Sequence, residues 1–504
     1  MKNIAVIDIG SNSMRVLVYE ISNKSFKIID EEKRMTRLGA FIDDYNNLSI
    51  KGVEKLIVTL DFFKILCKKN NVVETIVVAT EAIRRADNNS YILSLIKEKT
   101  GLDIRILSGL EEYTYGYLTI KTTMNIDDAI LVDMGGSSME ITLVKNKIIC
   151  NGISLPLGSI PLTKLFPFNK PADKDYQLEF KKFIYKEFDK LPWLKDGSHL
   201  PLIGIGGTAR AIGKIHKKFI KYPLDLLHNY TMSFNEVKSI YNYVLGLTIT
   251  QKSKLKGLPK ERADIFTAPF SALTMLMNYC NCPSLKISQY GIREGVLYEK
   301  LLGNNLNEVD ILNFSINNML IYHNLNIYHA EKIRELSNVI FNYLKESDTK
   351  NGDLENKILN ISAKLHDVGL SISVKHIYKH SFYIIINSLL AGLSHKEILM
   401  VAYTVALSSK FDYKLSDEYK DFLSKDDTLI CKRISIILCI AHKIDKYFYN
   451  SLEEISILND KDFFKLALPK LSVQYMKDSL PLEINESFKK CFNKKLSIIP
   501  FKIN

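Results

Sequence analysis

The sequence predicts an α/β protein of two related domains followed by a mainly helical third region. Three observations carry that prediction. A strand–turn–strand pattern occurs twice, 125 residues apart, as IAVIDIGSNSMRVLVY at 4–19 and AILVDMGGSSMEITLV at 129–144. A further apolar strand, LIGI at 202–205, runs through a glycine-rich turn into a helical stretch, GGTARAIGKI. Beyond the polar break GNNLNE at 303–308 the apolar residues fall at helical spacing, as in HAEKIRELSNVIFNYLKE at 329–346.

Length and composition agree with this division. The chain has 504 residues, 46% hydrophobic and 25% charged, which at roughly 150 residues per domain allows about three domains. The expected regions are 1–122, 123–305 and 306–504. No apolar run reaches the ~18 residues a membrane span needs. The opening MKNIAVIDIG carries Asp8 inside its apolar run and lacks a small-residue cleavage site, so it reads as a strand and not a leader. Seven scattered cysteines, an odd number, read as reduced thiols of a cytoplasmic protein. Cys280-x-Cys282 offers either a metal pair or two buried thiols. Of the net charge of +12, residues 123–305 carry +8. Such a segment suits a polyanionic ligand, and a solvated lysine surface gives the same count.

Within the repeat, Asp8 aligns with Asp133, Gly10 with Gly135, Ser13 with Ser138 and Met14 with Met139. Each copy reads as a β-hairpin whose glycine allows a sharp bend and close approach of a ligand. Ser11, Asn12 and Ser13 in the first turn, and Gly136, Ser137 and Ser138 in the second, supply amide and hydroxyl donors for an anion. An aspartate ending the preceding strand could hold a divalent cation or orient water. Either turn taken singly also reads as a polar hairpin loop; their duplication favours the site. Gly206, Gly207 and Thr208 would present backbone N–H groups at a helix N-terminus, another anion-binding arrangement. The spacing fits neither a Walker A loop nor the GxGxxG of dinucleotide folds.

Eight segments in order, DIGSNSMR (8–15), ATEAIRRADN (79–88), SGLEE (108–112), DMGGSSME (133–140), SLPLGSIPLT (154–163), GIGGTA (204–209), ERAD (261–264) and GIREG (291–295), resemble the exopolyphosphatase/guanosine pentaphosphate phosphohydrolase (Ppx/GppA) family. That resemblance implies two duplicated actin-like (ribonuclease H-like) domains with a cleft between them. It also implies a C-terminal all-α, HD-like domain, suggested by LHDVGL (365–370) and KHS (379–381). Carried onto this sequence, the family pattern makes Glu112 the general base on an attacking water. Asp8, Asp133 and Glu140 become candidate ligands of Mg²⁺, and Arg84 the arginine that faces the phosphates, with Arg85 toward solvent. Read without the resemblance, the Glu111-Glu112 pair also fits two acids at a helix N-terminus. Three positions depart from the pattern: Ser137 replaces a glycine, Pro161 an arginine and Pro269 a glycine.

The implied substrates are inorganic polyphosphate and guanosine pentaphosphate, the latter giving guanosine tetraphosphate. Lysines 214, 217, 218, 221, 252, 254, 256 and 260 suggest a basic groove, with Lys214, Lys217 and Lys218 as its candidate substrate contacts. Aromatic interleaving is absent from these runs, which disfavours nucleic acid. In the third region His366-Asp367 has the form of an HD metal pair with His329 before it, but His442 stands where a late aspartate is expected. That set reads as incomplete, and the region as one for packing, homodimer formation or lengthening the groove. Two rivals remain open at this level: a kinase or ATPase of the same superfamily, and a non-catalytic sensor of guanosine tetra- or pentaphosphate.

Overall fold

The first strand, KNIAVIDI, is apolar on both faces because both faces are covered. We describe it, and the rest of the chain, from a computed structural model covering all residues except 23, 24, 44, 170, 172, 304–309, 345–351, 389, 448–455, 482 and 501–504. Most of the 303–308 break and the last two residues of the 329–346 pattern therefore lie outside the described residues. The chain divides into two compact units, residues 1–222 with 227–311 and residues 223–226 with 312–504.

In the first unit, β1 (Lys2–Ile9), β2 (Met14–Ser22), β3 (Ser25–Arg34), β4 (Val72–Ala79) and β5 (Ile104–Ile106) form a sheet in the order β3-β2-β1-β4-β5. The strands β6 (Ala129–Met134), β7 (Met139–Lys145), β8 (Ile148–Leu155), β9 (Leu202–Ile205), β10 (Tyr230–Ser233) and β11 (Ser284–Ile287) form a second, ordered β10-β11-β9-β6-β7-β8. β8-β7-β6-β9-β11 thus repeats β3-β2-β1-β4-β5. In both, two antiparallel pairings are followed by parallel ones. The duplication expected from the two motifs extends to whole sheets.

Side chains alternate along each strand, so the central strands feed two cores. Ala5, Ile7 and Ile9 pack with Leu56, Leu60 and Phe63 of the helix Ile50–Lys69, while Ile4 and Val6 pack with Tyr115, Val296 and Leu297. In the second sheet Ile130, Val132 and Met134 join the larger core, and Ala129 and Leu131 meet Tyr117 and Ile120. The helix Gly109–Thr123 therefore serves both sheets, Tyr115 on one side and Tyr117 with Ile120 on the other. Beside it lies the helix Ile292–Leu302, so close that a Cβ at Gly295 would sit 2.4 Å from the Tyr115 carbonyl oxygen. This last helix of the 123–305 stretch thus covers the first sheet.

The second unit holds the helices Ile327–Leu344, Gly352–Leu365, Ile377–Asn387, His395–Ser409 and Lys425–Tyr447. It also contains a small sheet that helical periodicity does not announce, β12 (Ser456–Asn459), β13 (Phe463–Leu468) and β14 (Lys495–Pro500), in that order. β13 finds its parallel partner about thirty residues later, so no local hairpin signal exists. Among the described residues no helix is long and apolar enough to cross a membrane. All seven cysteines are free, and Cys280 and Cys282 are both buried.

Candidate active site

The two hairpin turns are built alike. Gly10 N–H donates to the Ser13 carbonyl oxygen at 3.2 Å, and Gly135 N–H to that of Ser138 at 3.0 Å. Each loop is also clamped from outside: Gly39 and Arg37 N–H groups donate to Ser11 and Asn12 oxygens, and Ser159 and Ile160 N–H groups to those of Gly135 and Gly136. The loops touch, since a Cβ at Gly136 would fall 3.0 Å from Ser11 Cβ. They line one cleft of about 140 Å³, together with Asp8, Arg15, Glu112, Asp133, Glu140, Gly206, Gly207, Arg210, Arg262 and Arg293.

Glu112 reaches that cleft because its neighbour caps the helix. Ser108 accepts a hydrogen bond from Glu111 N–H, and Glu111 Oε2 accepts one from Ser108 N–H at 2.8 Å. This reciprocal cap fixes the first turn of Gly109–Thr123 and leaves Glu112 pointing inward, 4% exposed. Both readings of the acidic pair are therefore realised, one in each glutamate. Burial, and then the nearby Glu140, raise the pKa of Glu112 well above the carboxylate range, while Arg84 opposes that rise.

The acids of the two hairpins are not equivalent. Across β1 and β2 Asp8 faces Arg15, whereas across β6 and β7 Asp133 faces Glu140. Burial raises Asp8, raises Asp133 to about 6, and with Asp133 beside it raises Glu140 to about 7. Ser154 Oγ donates to Glu140 Oε1 at 2.7 Å. Opposite these carboxyl groups stand four arginines. Burial first, then mutual repulsion, lowers Arg15, Arg210 and Arg262 to about 10. Gly207 makes room for one of them, because a Cβ there would lie 1.5 Å from a terminal guanidinium nitrogen of Arg262. Gly206 adopts φ +84°, and its missing Cβ would lie 2.5 Å from Asp133 Oδ1.

Four of the expected residues lie away from the lining of this cleft. Arg84 does not line the cleft: its guanidinium ion-pairs with Glu112 and Glu81 and donates to the Leu107 carbonyl oxygen at 2.5 Å. Thr208 is buried one residue behind the turn formed by Gly206 and Gly207. Lys217 is not a groove residue; it is 7% exposed, with its ammonium over the rings of Tyr222 and Tyr230. Lys252 is likewise buried and donates to the Phe168 carbonyl oxygen at 3.0 Å. Lys214 and Lys218 remain exposed. Arg210, Arg262 and Arg293 were missed as site residues although each stands in or beside a quoted motif, GIGGTA, ERAD or GIREG. Their convergence depends on the sheets meeting, which no local pattern shows.

Comparison with known proteins decides the assignment. Residues 17–304 match the model of the Ppx/GppA phosphatase family, and residues 311–484 that of Ppx/GppA phosphatase domain III. The chain belongs to the Ppx/GppA phosphatase family. A relative from Pseudoalteromonas translucida, named guanosine-5'-triphosphate,3'-diphosphate pyrophosphatase, is 26% identical over 88% of each chain. One of the same name from Aeromonas salmonicida is 24% identical over 96% of this chain and 97% of its own. Among solved structures, the Ppx/GppA family member of Aquifex aeolicus is 27% identical, with a TM-score of 0.53 over 60% of this chain and 99% of its own. An exopolyphosphatase from Cytophaga hutchinsonii shares the fold at 20% identity, with a TM-score of 0.56 over 62% of this chain and 99% of its own. These likenesses agree with the actin-like α/β architecture of the first unit, and domain III with the helical second.

Proposed function

We propose that this Ppx/GppA phosphatase hydrolyses the terminal phosphoanhydride bond of inorganic polyphosphate and the 5′ γ-phosphate of guanosine pentaphosphate, leaving guanosine tetraphosphate. The single observation that carries the proposal is the placement of Glu112: a buried carboxylate in one cleft with two glycine–serine loops and four arginines. Two curated relatives bear the name of the guanosine nucleotide activity, which supports that substrate.

The residues divide the work by charge. Gly10 to Ser13, Gly135 to Ser138 and the turn at Gly206 and Gly207 would cradle phosphate oxygens. Arg15, Arg210, Arg262 and Arg293 would balance charge on the transferred group and the leaving oxygen, which suits the loose transition state of phosphoryl transfer. Glu112 would take a proton from the water that attacks the terminal phosphorus as the P–O bond to the leaving chain breaks. Arg84, held on Glu112, would favour its ionised form against burial and aim the carboxylate.

Burial makes Asp8, Asp133 and Glu140 costly to ionise, and Asp133 feels the charge of Asp8 as Glu140 feels that of Asp133; one or two of these carboxylates would suit Mg²⁺. When bound, Mg²⁺ would supply charge neutralisation between phosphate oxygens. The test is phosphate release by wild type and Glu112→Gln with long-chain polyphosphate and with guanosine pentaphosphate, each with Mg²⁺. We expect turnover by wild type and a loss of about a hundredfold or more in the variant. Binding of both substrates without turnover by wild type would replace this reading with that of a sensor.

A further inference from the structure

The second unit brings together side chains that read as an incomplete set in the sequence. His329 lies in the first turn of Ile327–Leu344, His366 and Asp367 directly follow Gly352–Leu365, and His442 lies on Lys425–Tyr447. One ligand atom from each falls within 4.8 Å of all the others. Asp367 Oδ2 is 3.2 Å from His329 Nε2 and 3.3 Å from His366 Nε2. Donors around an ion at ~2.1 Å in tetrahedral array stand about 3.4 Å apart, so two of the spacings already suit a shared ion.

The surroundings orient these donors. His329 Nδ1 lies 3.0 Å from Asp445 Oδ2, which leaves Nε2 toward the cluster. His366 Nδ1 lies 2.7 Å from the Ala363 carbonyl oxygen, again leaving Nε2 inward. A carboxylate or carbonyl on the outer nitrogen is how metal-bound imidazoles are held. His366 is 5% exposed, and its Nε2 is sealed from solvent without a hydrogen bond of proper geometry. Of the lysines nearby, Lys332 pairs with Asp445 at 2.7 Å and Lys364 with Glu331 at 2.7 Å, while Lys443 faces His442 with its charge. A cavity of about 330 Å³, lined in part by His329, His366 and Asp367, gives access.

We propose that His329, His366, Asp367 and His442 bind one divalent first-row transition metal, with Asp445 as the positioning residue behind His329. Three imidazoles and one carboxylate prefer Zn²⁺ or its neighbours to Mg²⁺. The chain would then carry two metal sites of different chemistry, this one and the carboxylate-lined cleft. The inference is independent of the proposed substrates.

The test uses the full chain, tag removed, stripped with chelator and dialysed against limiting Zn²⁺ or Co²⁺ in excess Mg²⁺. Expected are about one tightly held Zn²⁺ per chain by elemental analysis and visible d–d bands of the Co²⁺ form, the stoichiometry of a single four-donor site. His366→Ala and His442→Ala should each lose the metal and the bands, while Glu112→Gln keeps both. Asp445→Asn leaves all four ligands in place and should weaken Zn²⁺ affinity about 10- to 100-fold, which keeps the test decisive if a histidine variant fails to fold. Wild type that retains no metal, or variants with wild-type folding and undiminished binding, would overturn the proposal.

Discussion

The guanidinium of Arg84 grips Glu112 with one nitrogen and Glu81 with another, tying the short helix Glu81–Arg84 after β4 to the helix that carries the proposed base. Its charge is the chief force opposing the rise that burial imposes on the Glu112 pKa. Arg84→Gln should therefore raise the pKa of Glu112 and move the acidic limb of the kcat profile to higher pH. We expect kcat below that limb to fall by about tenfold for each unit by which the pKa rises, with KM little changed. A large rise in KM and an unmoved limb would mean that Arg84 meets substrate directly.

Gly207 predicts a dependence between two positions. Because a Cβ there would collide with Arg262, Gly207→Ala should displace that guanidinium and weaken substrate binding as much as Arg262→Ala does. A hydrogen bond to a charged group is worth about 1.5–3 kcal/mol, so KM should rise roughly 10- to 100-fold in either. The double variant should be little worse than each single one. Additive losses in a double-mutant cycle would show that the two positions act separately.

Without a divalent cation the cleft acids should make stability depend on pH. Asp133 is raised to about 6 and Glu140 to about 7, so the folded chain binds more protons than the unfolded one between pH ~4 and ~7. Their protonation stabilises the fold below this window, and that contribution is lost as pH rises through the folded pKa values, at up to about 1.4 kcal/mol per unit for each group. In EDTA the Tm should fall from pH 5 to pH 8, Mg²⁺ should restore it most at pH 8, and Asp133→Asn should flatten the slope. A Tm that climbs over the same range would contradict this account.

Lysine variants should separate the surface from the core. Lys214 and Lys218 are exposed, so Lys214→Ala with Lys218→Ala should weaken polyphosphate binding at low salt and reduce its salt dependence, by the counterion release known for nucleic acids. Lys217→Ala should leave that slope unchanged and lower the unfolding midpoint, because the residue packs on Tyr222 and Tyr230. The reverse pattern would return Lys217 to the groove.

The sequence displays what is local. Asp8, Gly10 and Ser13 could be paired with Asp133, Gly135 and Ser138 because a hairpin keeps strand, turn and acid within a few residues, and the same spacing recurs. Glu112 was legible only through family likeness, since two acids opening a helix have an ordinary capping explanation that Glu111 in fact fulfils. The arginine arc was not legible: Arg15, Arg210, Arg262 and Arg293 come from four separate segments and converge only when the sheets meet. Lysine counting misplaced Lys217 and Lys252 for a related reason, as charge along a chain does not reveal which stems fold beneath aromatic rings or turns. The metal-like cluster looked broken because His442 holds the late position and Asp445, one helical turn on, lies behind His329.

The helix Ile292–Leu302 ends the second copy of the repeat yet roofs the sheet of the first. The copies have in effect exchanged shelter. Residues 1–122 made alone would leave Ile4 and Val6 without Val296 and Leu297 above them, and Tyr117 and Ile120 without the second sheet beneath. The repeat of motifs and strand order suggests a cut near residue 122, but the packing of the first unit runs across it, so neither copy of the repeat has its own complete core.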